Sequence, residues 1–192
     1  MPKIVDKVQK RKNIAKSACG LFIEKGFVNL SISQIAQNAG IGKGTIYEYF
    51  KSKEDIVFEL MGCLQDDYDP ILEKNLQLAQ TTNEKIKYLF TLFLSNEEKV
   101  KTQRAIFREF LGILLNHPTQ EIKEFHSQML CKYGMVLRGI FQEQIEAKRF
   151  QQNALEMIPS VFATVEGFFL VNESQEIISN YIDMLCEILE VK

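Results

Sequence analysis

An all-α fold is what this chain of 192 residues predicts, and three observations carry that expectation. Apolar residues recur three and four positions apart rather than two. Short β-branched runs bracketed by glycine or proline are nearly absent, so strand signals are missing. Two of the apolar stretches open on a Ser-x-x-Gln or Ser-x-x-Asp pattern, in which the serine hydroxyl can satisfy a free amide at a helix start.

The first helix is expected from about Asp6 to Lys25, where Val8, Ile14, Ala15, Ala18, Leu21 and Phe22 form one stripe and Gly26 supplies a stop. Ser31 and Gln34 form a capping box, so a second helix begins near Ile32 and ends at Gly40. A short third helix runs from about Lys43 to Phe50. Ser52 and Asp55 then repeat the cap for a fourth, which extends from about Lys53 towards Gln80 with Pro70 bending or breaking it. Further helices are expected from near Asn83, from Lys101, from Pro118 to about Phe150, from Asn153 and from Ser174.

Composition and charge narrow the classes of function. With 46% hydrophobic and 25% charged residues, the chain reads as globular, either one domain or a small head on a larger body. Cys19, Cys63, Cys131 and Cys186 lack the spacing of a zinc or redox pair, and His117 and His126 lack partners at metal-ligand spacing. Loop and surface roles are expected for the two histidines, with no metal and no cofactor. No basic-then-apolar leader opens the chain and charges interrupt every apolar run, which predicts a cytoplasmic protein without a membrane span. The net charge of −2 hides a division. Residues 1–53 hold ten Lys and Arg against three acids, a net of +7, whereas residues 54–192 hold 13 basic and 22 acidic residues, a net of −9. A basic head of this kind fits either nucleic-acid contact or a solvated lysine face.

The stretch GIGKGTIYEYFKSKEDI, residues 40–56, separates these readings. It is not a P-loop, because Lys43 is followed by Gly44 and preceded by helical sequence, and its glycines miss the dinucleotide spacing. Two short capped helices joined by Ala39-Gly40-Ile41-Gly42 do meet the needs of a helix-turn-helix, with glycine permitting the turn and Ile35, Ala36, Ile41 and Ile46 as its small core. GKGTIYEYF then becomes a recognition helix. Its glycines allow close backbone approach, Thr45, Tyr47 and Tyr49 offer groove contacts, and Ile46 and Phe50 belong to the core. Tyr47 is read equally as a contact or as a packed ring.

Residues 8–56, most specifically LFIEKGFVNLSISQIAQNAGIGKGTIYEYFKSKEDI, resemble the DNA-binding domain of TetR-family transcriptional repressors. That resemblance covers about a quarter of the chain. It implies an N-terminal three-helix helix-turn-helix domain, residues 1–52, followed by a helical effector-binding and dimerisation domain, residues 53–192. By position it assigns Ser33, Lys43, Gly44, Thr45, Tyr47 and Tyr49 to base edges and phosphates, and Lys53 to a phosphate. Two positions depart from the family pattern: Gly42 replaces a small hydroxyl residue, and Glu48 puts a carboxylate where an aromatic or neutral residue is usual.

The body offers weaker signals. MIPSVFATVEGFFLV is apolar nearly all round, and SQEIISNYIDMLCEILEV carries Ile177, Tyr181 and Ile188 on one stripe, widened by Ile178, Ile182, Leu185 and Leu189. Helices like these need neighbours on two sides, which predicts, ahead of full burial within a monomer, a homodimer whose interface includes Phe168, Ile178, Tyr181, Ile182, Leu185 and Leu189. Phe93, Phe107, Phe110, Met129, Tyr133, Phe162 and Phe169 are candidate walls for a small, mainly apolar or amphiphilic effector, although each alone fits ordinary core. Glu166 stands alone in an apolar helix and is expected to pair with an arginine or reach solvent, ahead of touching a ligand.

The function expected is a ligand-responsive repressor that binds palindromic operator DNA as a homodimer. A carboxylate-bridged helical enzyme would need paired Glu-x-x-His motifs, and there are none. The competing class is a helical interaction or scaffold module without specific DNA binding.

Overall fold

The computed structural model describes residues 6–171 and 174–191. Among them the chain is helical: α1 (Lys7–Asn29), α2 (Ile32–Asn38), α3 (Lys43–Ile46), α4 (Lys53–Leu78), α5 (Thr82–Leu89), α6 (Thr91–Leu94), α7 (Glu98–Asn116), α8 (Gln120–Glu146), a 3-10 segment (Gln152–Met157), α9 (Ile158–Leu170) and α10 (Gln175–Leu189). Extended pairing among the described residues is confined to an isolated antiparallel bridge between Phe150 and Glu190.

Two compact units divide the chain. The first runs up to Asp69 and takes in Ala105–Lys123, and the second comprises Pro70–Arg104 with the chain from Glu124 onward. The first turns of α4 belong to the first unit, where Ile56, Val57, Leu60 and Met61 are buried. A stretch of α7 carrying Ile106, Phe107, Phe110 and Leu111, all buried, joins the same unit. Pro70 does not break α4, which is continuous to Leu78. Pro70 and Asp66 are both exposed, so water can serve the carbonyl that the proline leaves without an amide partner.

In the first unit, Asp6 caps α1 by accepting from the amides of Val8 and Gln9. Ile14, Ala15, Ala18 and Phe22 bury one face of the helix at three- and four-residue spacing. Gly26 has φ +72°, a left-handed value that interrupts the helix where the sequence predicts a stop. Ser31 and Gln34 form the expected reciprocal capping box of α2. Gly40, at φ +66°, turns the chain towards α3. Ile35, Ala36, Ile46 and Phe50 are each at most 2% exposed, and Ile41 is half-buried. This is a helix-turn-helix with its expected core. α3 itself is shorter than the sequence suggests, since Tyr47, Glu48 and Tyr49 continue it only as turns.

The second unit starts α5 with a capping box of its own, Thr81 and Glu84. The Thr-x-x-Glu signal lies plainly in QTTNEK. α10 is tied to α5 by Asp183, whose carboxylate meets Lys87 Nζ at 2.6 Å and accepts from the Asn83 amide at 2.7 Å. The Phe168 and Tyr181 rings meet edge to face at 5.8 Å.

Candidate nucleic-acid interface and effector region

The head presents its polar face because its apolar face is used up. Ile46 and Phe50 point into the core, and the residues between and before them are pushed outward by the same helical turn. Ser33, Lys43, Gly44 and Tyr47 are exposed, Tyr47 by 55%, while Thr45 and Tyr49 are half-buried. Of the two tyrosines, Tyr47 is therefore the freer to reach a ligand. Tyr49 is tied down at its backbone, where its carbonyl accepts a hydrogen bond from the Arg11 guanidinium. Beyond its own helical turn, no described residue comes within 4 Å of where a Cβ on Gly44 would stand. The chain leaves open space there rather than filling it.

Charge on the head falls into two groups. Arg11 pairs with Glu59 at 2.5 Å and lies over the Phe50 ring at 4.2 Å. Lys12 pairs with Asp66 at 2.6 Å, and Lys16 stands 3.9 Å from Asp67. These cations fasten α1 to α4. By contrast, Lys7, Lys10, Lys25, Lys43 and Lys51 make no ion pair among the described residues and stay available to an anion. Glu48 is exposed and has no ion-pair partner there either.

Lys53 is engaged within the protein. Its ammonium donates to the carbonyls of Phe27 and Leu30, the latter at 2.8 Å, and sits 4.1 Å from the centre of the Phe27 ring. Burial pulls it below the ordinary lysine value, an effect that Glu54 partly opposes. Much of its hydrogen-bonding capacity is thus spent on closing the end of α1. The same corner is gripped from another direction: the Phe27 amide donates to Glu109 Oε2 of α7 at 2.8 Å. One residue after a left-handed glycine, the backbone of Phe27 is held at both its N–H and its C=O. Asn38 adds a third tie by donating from α2 to the Ser17 carbonyl of α1 at 2.6 Å. The sequence gives no sign of Glu109 or Asn38, because both act on backbone atoms far away in the chain.

The candidate effector residues fall into both units. Phe107 and Phe110 lie in the first, buried, with ring centres 6.2 Å apart. In the second, Phe93 meets Phe169 at 5.3 Å and Phe90 at 6.3 Å, and Phe90 meets Phe162 at 5.2 Å. Phe90, which sequence reasoning passed over, links Phe93 to Phe162. Met129 is buried, and Tyr133 is half-buried with the Lys132 ammonium 5.5 Å from its ring centre. Glu166 pairs with neither arginine nor solvent: its Oε1 lies 3.1 Å from His126 Nε2, and both side chains are about 15% exposed. His126 accordingly moves from an expected surface role to a largely buried one. The signal for it was the lone carboxylate, which needed a partner.

The expected dimer residues divide. Ile178, Ile182, Leu185 and Leu189 are at most 3% exposed within the single chain, so they are spent on its own core rather than offered to a partner. The opposite stripe of α10 remains outside, with Ile177 39%, Met184 52% and Ile188 57% exposed and Tyr181 half-buried.

Comparison with known proteins agrees with the architecture. Residues 14–60 match the family model described as bacterial regulatory proteins, tetR family. The fatty acid metabolism regulator protein of Bacillus subtilis is similar at 26% identity over 143 residues, 74% of this chain and 72% of that protein. The HTH-type transcriptional regulator HbdR of Aromatoleum sp. is similar at 34% identity over 76 residues, 40% of this chain and 32% of that protein. Among solved structures, a TetR-family regulator from Cytophaga hutchinsonii superposes with a TM-score of 0.79 at 18% identity, over 99% of both chains. FadR from Bacillus subtilis in complex with stearoyl-CoA superposes with a TM-score of 0.67 at 24% identity, over 91% of this chain and 96% of that one. No helix among the described residues is long and apolar enough to cross a membrane.

Proposed function

Because this chain is a TetR-family transcriptional regulator and not an enzyme, we propose that it acts as a homodimeric repressor of palindromic operator DNA, released by a small and mainly apolar effector. The observation that carries the DNA half is the exposed surface of Ser33, Lys43, Gly44 and Tyr47 on a head whose remaining unpaired cations are lysines. Lysines neutralise phosphates and set affinity, while Thr45, Tyr47 and Tyr49 bring hydroxyls to base edges or phosphates. Lys53 works indirectly, by fixing the corner between α1 and α2 that carries this surface.

Homodimerisation draws support from α10, which is apolar on two sides and buries one of them within its own chain. The outer stripe of Ile177, Tyr181, Met184 and Ile188 is the face for a second copy, with half-sites on DNA about one helical turn apart or at related spacings. An apolar effector fits the phenylalanine-rich body, and the stearoyl-CoA bound to the FadR neighbour makes a long acyl thioester the first compound to try.

Footprinting of the DNA upstream of this gene tests the reading. The full chain is expected to protect a palindrome, and Lys43→Ala or Tyr47→Ala to abolish that protection while leaving the helical signal unchanged; undiminished protection by both variants refutes the assignment. Calorimetric titration of stearoyl-CoA into free and operator-bound protein tests release. An inducer that lowers DNA affinity tenfold must itself bind the DNA complex tenfold more weakly, a coupling of about 1.4 kcal/mol.

A further inference from the structure

A second site lies in the second unit, where the turn between α4 and α5 meets the ends of α8 and α10. A cavity of about 490 Å³ is lined there by Asn83, Gln144, Arg149, Phe150, Cys186 and Glu190, among others. Gln144 is only 9% exposed, and its carboxamide makes no hydrogen bond to the described residues. Its backbone carbonyl is occupied, accepting from the amides of Arg149 at 2.8 Å and Phe150 at 3.2 Å. A buried amide without a partner costs about 1–3 kcal/mol, so native proteins rarely leave one idle. Among the described residues, no fully occluded side-chain nitrogen or oxygen lacks a partner. The Gln144 amide therefore keeps its access, and the space it lines is the cavity.

The surroundings select a chemistry. Lys85 is committed to Glu143 at 2.6 Å and the Asn83 amide to Asp183, while burial pushes the Cys186 thiol above its ordinary value and keeps it neutral. Two lining charges remain uncommitted. Arg149 and Glu190 are exposed and make no ion pair among the described residues. Their backbones are fixed: Val191 donates to the Arg149 carbonyl at 2.8 Å and Gln151 to the Leu189 carbonyl at 2.9 Å, around the Phe150–Glu190 bridge. One cation and one anion are thus set at the rim, with a neutral carboxamide and the buried Phe150 behind them. A pure anion meets Glu190, a pure cation meets Arg149, and a hydrocarbon leaves Gln144 unsatisfied. A molecule carrying both signs meets none of these penalties.

We propose that this cavity binds a small zwitterion of the α-amino acid type, with its carboxylate on Arg149, its ammonium towards Glu190 and a polar uncharged side chain on the Gln144 carboxamide. Titration calorimetry of the full chain, without DNA, against the standard L-amino acids and the α-amide and N-acetyl derivative of each tests this. A member with a side-chain carboxamide, L-glutamine or L-asparagine, is expected to bind with a Kd below about 1 mM, and removal of either charge to weaken it about tenfold. Arg149→Gln should remove the penalty for the α-amide and Glu190→Gln that for the N-acetyl form, both at exposed positions that do not threaten folding. Gln144→Leu should erase the preference for L-glutamine over L-leucine. The proposal is overturned if no amino acid binds at about 10 mM, if both charge-deleted analogues bind as well as the parent, or if the rim variants leave selectivity unchanged. Heat from none of the panel means that the cavity holds water only. Since no step involves DNA, failure here leaves the operator reading standing.

Discussion

At Gly44 the chain leaves space that it does not itself use, and a single methyl group there tells whether DNA uses it. Beyond its own helical turn, an added Cβ meets no described residue within 4 Å, and alanine is the better helix former by about 1 kcal/mol. Gly44→Ala is therefore expected to fold at least as stably as the parent by thermal melting, yet to lose about tenfold or more in operator affinity if backbone and phosphate meet at this point. Equal affinity would place the DNA elsewhere. Lys53 supplies the opposite case. Its ammonium closes the α1 corner against two carbonyls and a ring, so Lys53→Met should lower the melting temperature as well as DNA affinity, by roughly 1–3 kcal/mol of stability. A plain phosphate contact would lower affinity alone and reduce the salt slope by about one.

Polar ties hold helices to one another here, and two of them make testable demands. Glu109→Ala removes the acceptor of the Phe27 amide, whereas Glu109→Gln keeps an oxygen in reach of it. Operator affinity measured by anisotropy should fall in the alanine variant and recover in the glutamine variant. The Asp183 tie between α5 and α10 is sensitive to acid. Hydrogen bonding from Lys87, and then from Asn83, holds its carboxyl below the ordinary value of 3.8. A depressed carboxyl stabilises the fold above that value, and the contribution disappears as pH falls through 3.8 towards the lower folded value. For a largely exposed pair it is under about 1 kcal/mol. Asp183→Asn should thus be less stable than the parent at pH 7 and equal to it near pH 2 by chemical denaturation. Most helices were legible beforehand because caps and three-four periodicity are local signals, as at Ser31–Gln34 and in the stripe from Ile14 to Phe22. Pro70 misled, because an exposed proline in a long packed helix is tolerated. The polar ties were illegible: Glu109 and Phe27 are 82 residues apart, and no local pattern announces a side chain that serves a distant backbone amide.

Across the whole molecule, the two faces of α10 make different predictions from apparently similar substitutions. Ile188→Glu puts charge on the exposed stripe and should yield a folded monomer that fails to protect a palindrome, read by sedimentation and footprinting together. Ile182→Glu buries a carboxylate at a position with no exposure, and should cost several kcal/mol and the fold itself. A folded, dimeric Ile188→Glu protein would move the interface off this stripe. The sequence could name α10 as doubly apolar but not which face turned inward, since periodicity gives spacing without direction. A last consequence concerns time rather than space. Because the α1 corner is closed by a carboxylate at position 109, the part of the chain that emerges first from a ribosome waits for a part made much later. At roughly 5–20 residues per second, several seconds separate the synthesis of Phe27 from that of Glu109. Throughout that interval the nascent head carries its recognition residues on an unfinished corner, so a newly made chain acquires its final grip only once α7 has been translated.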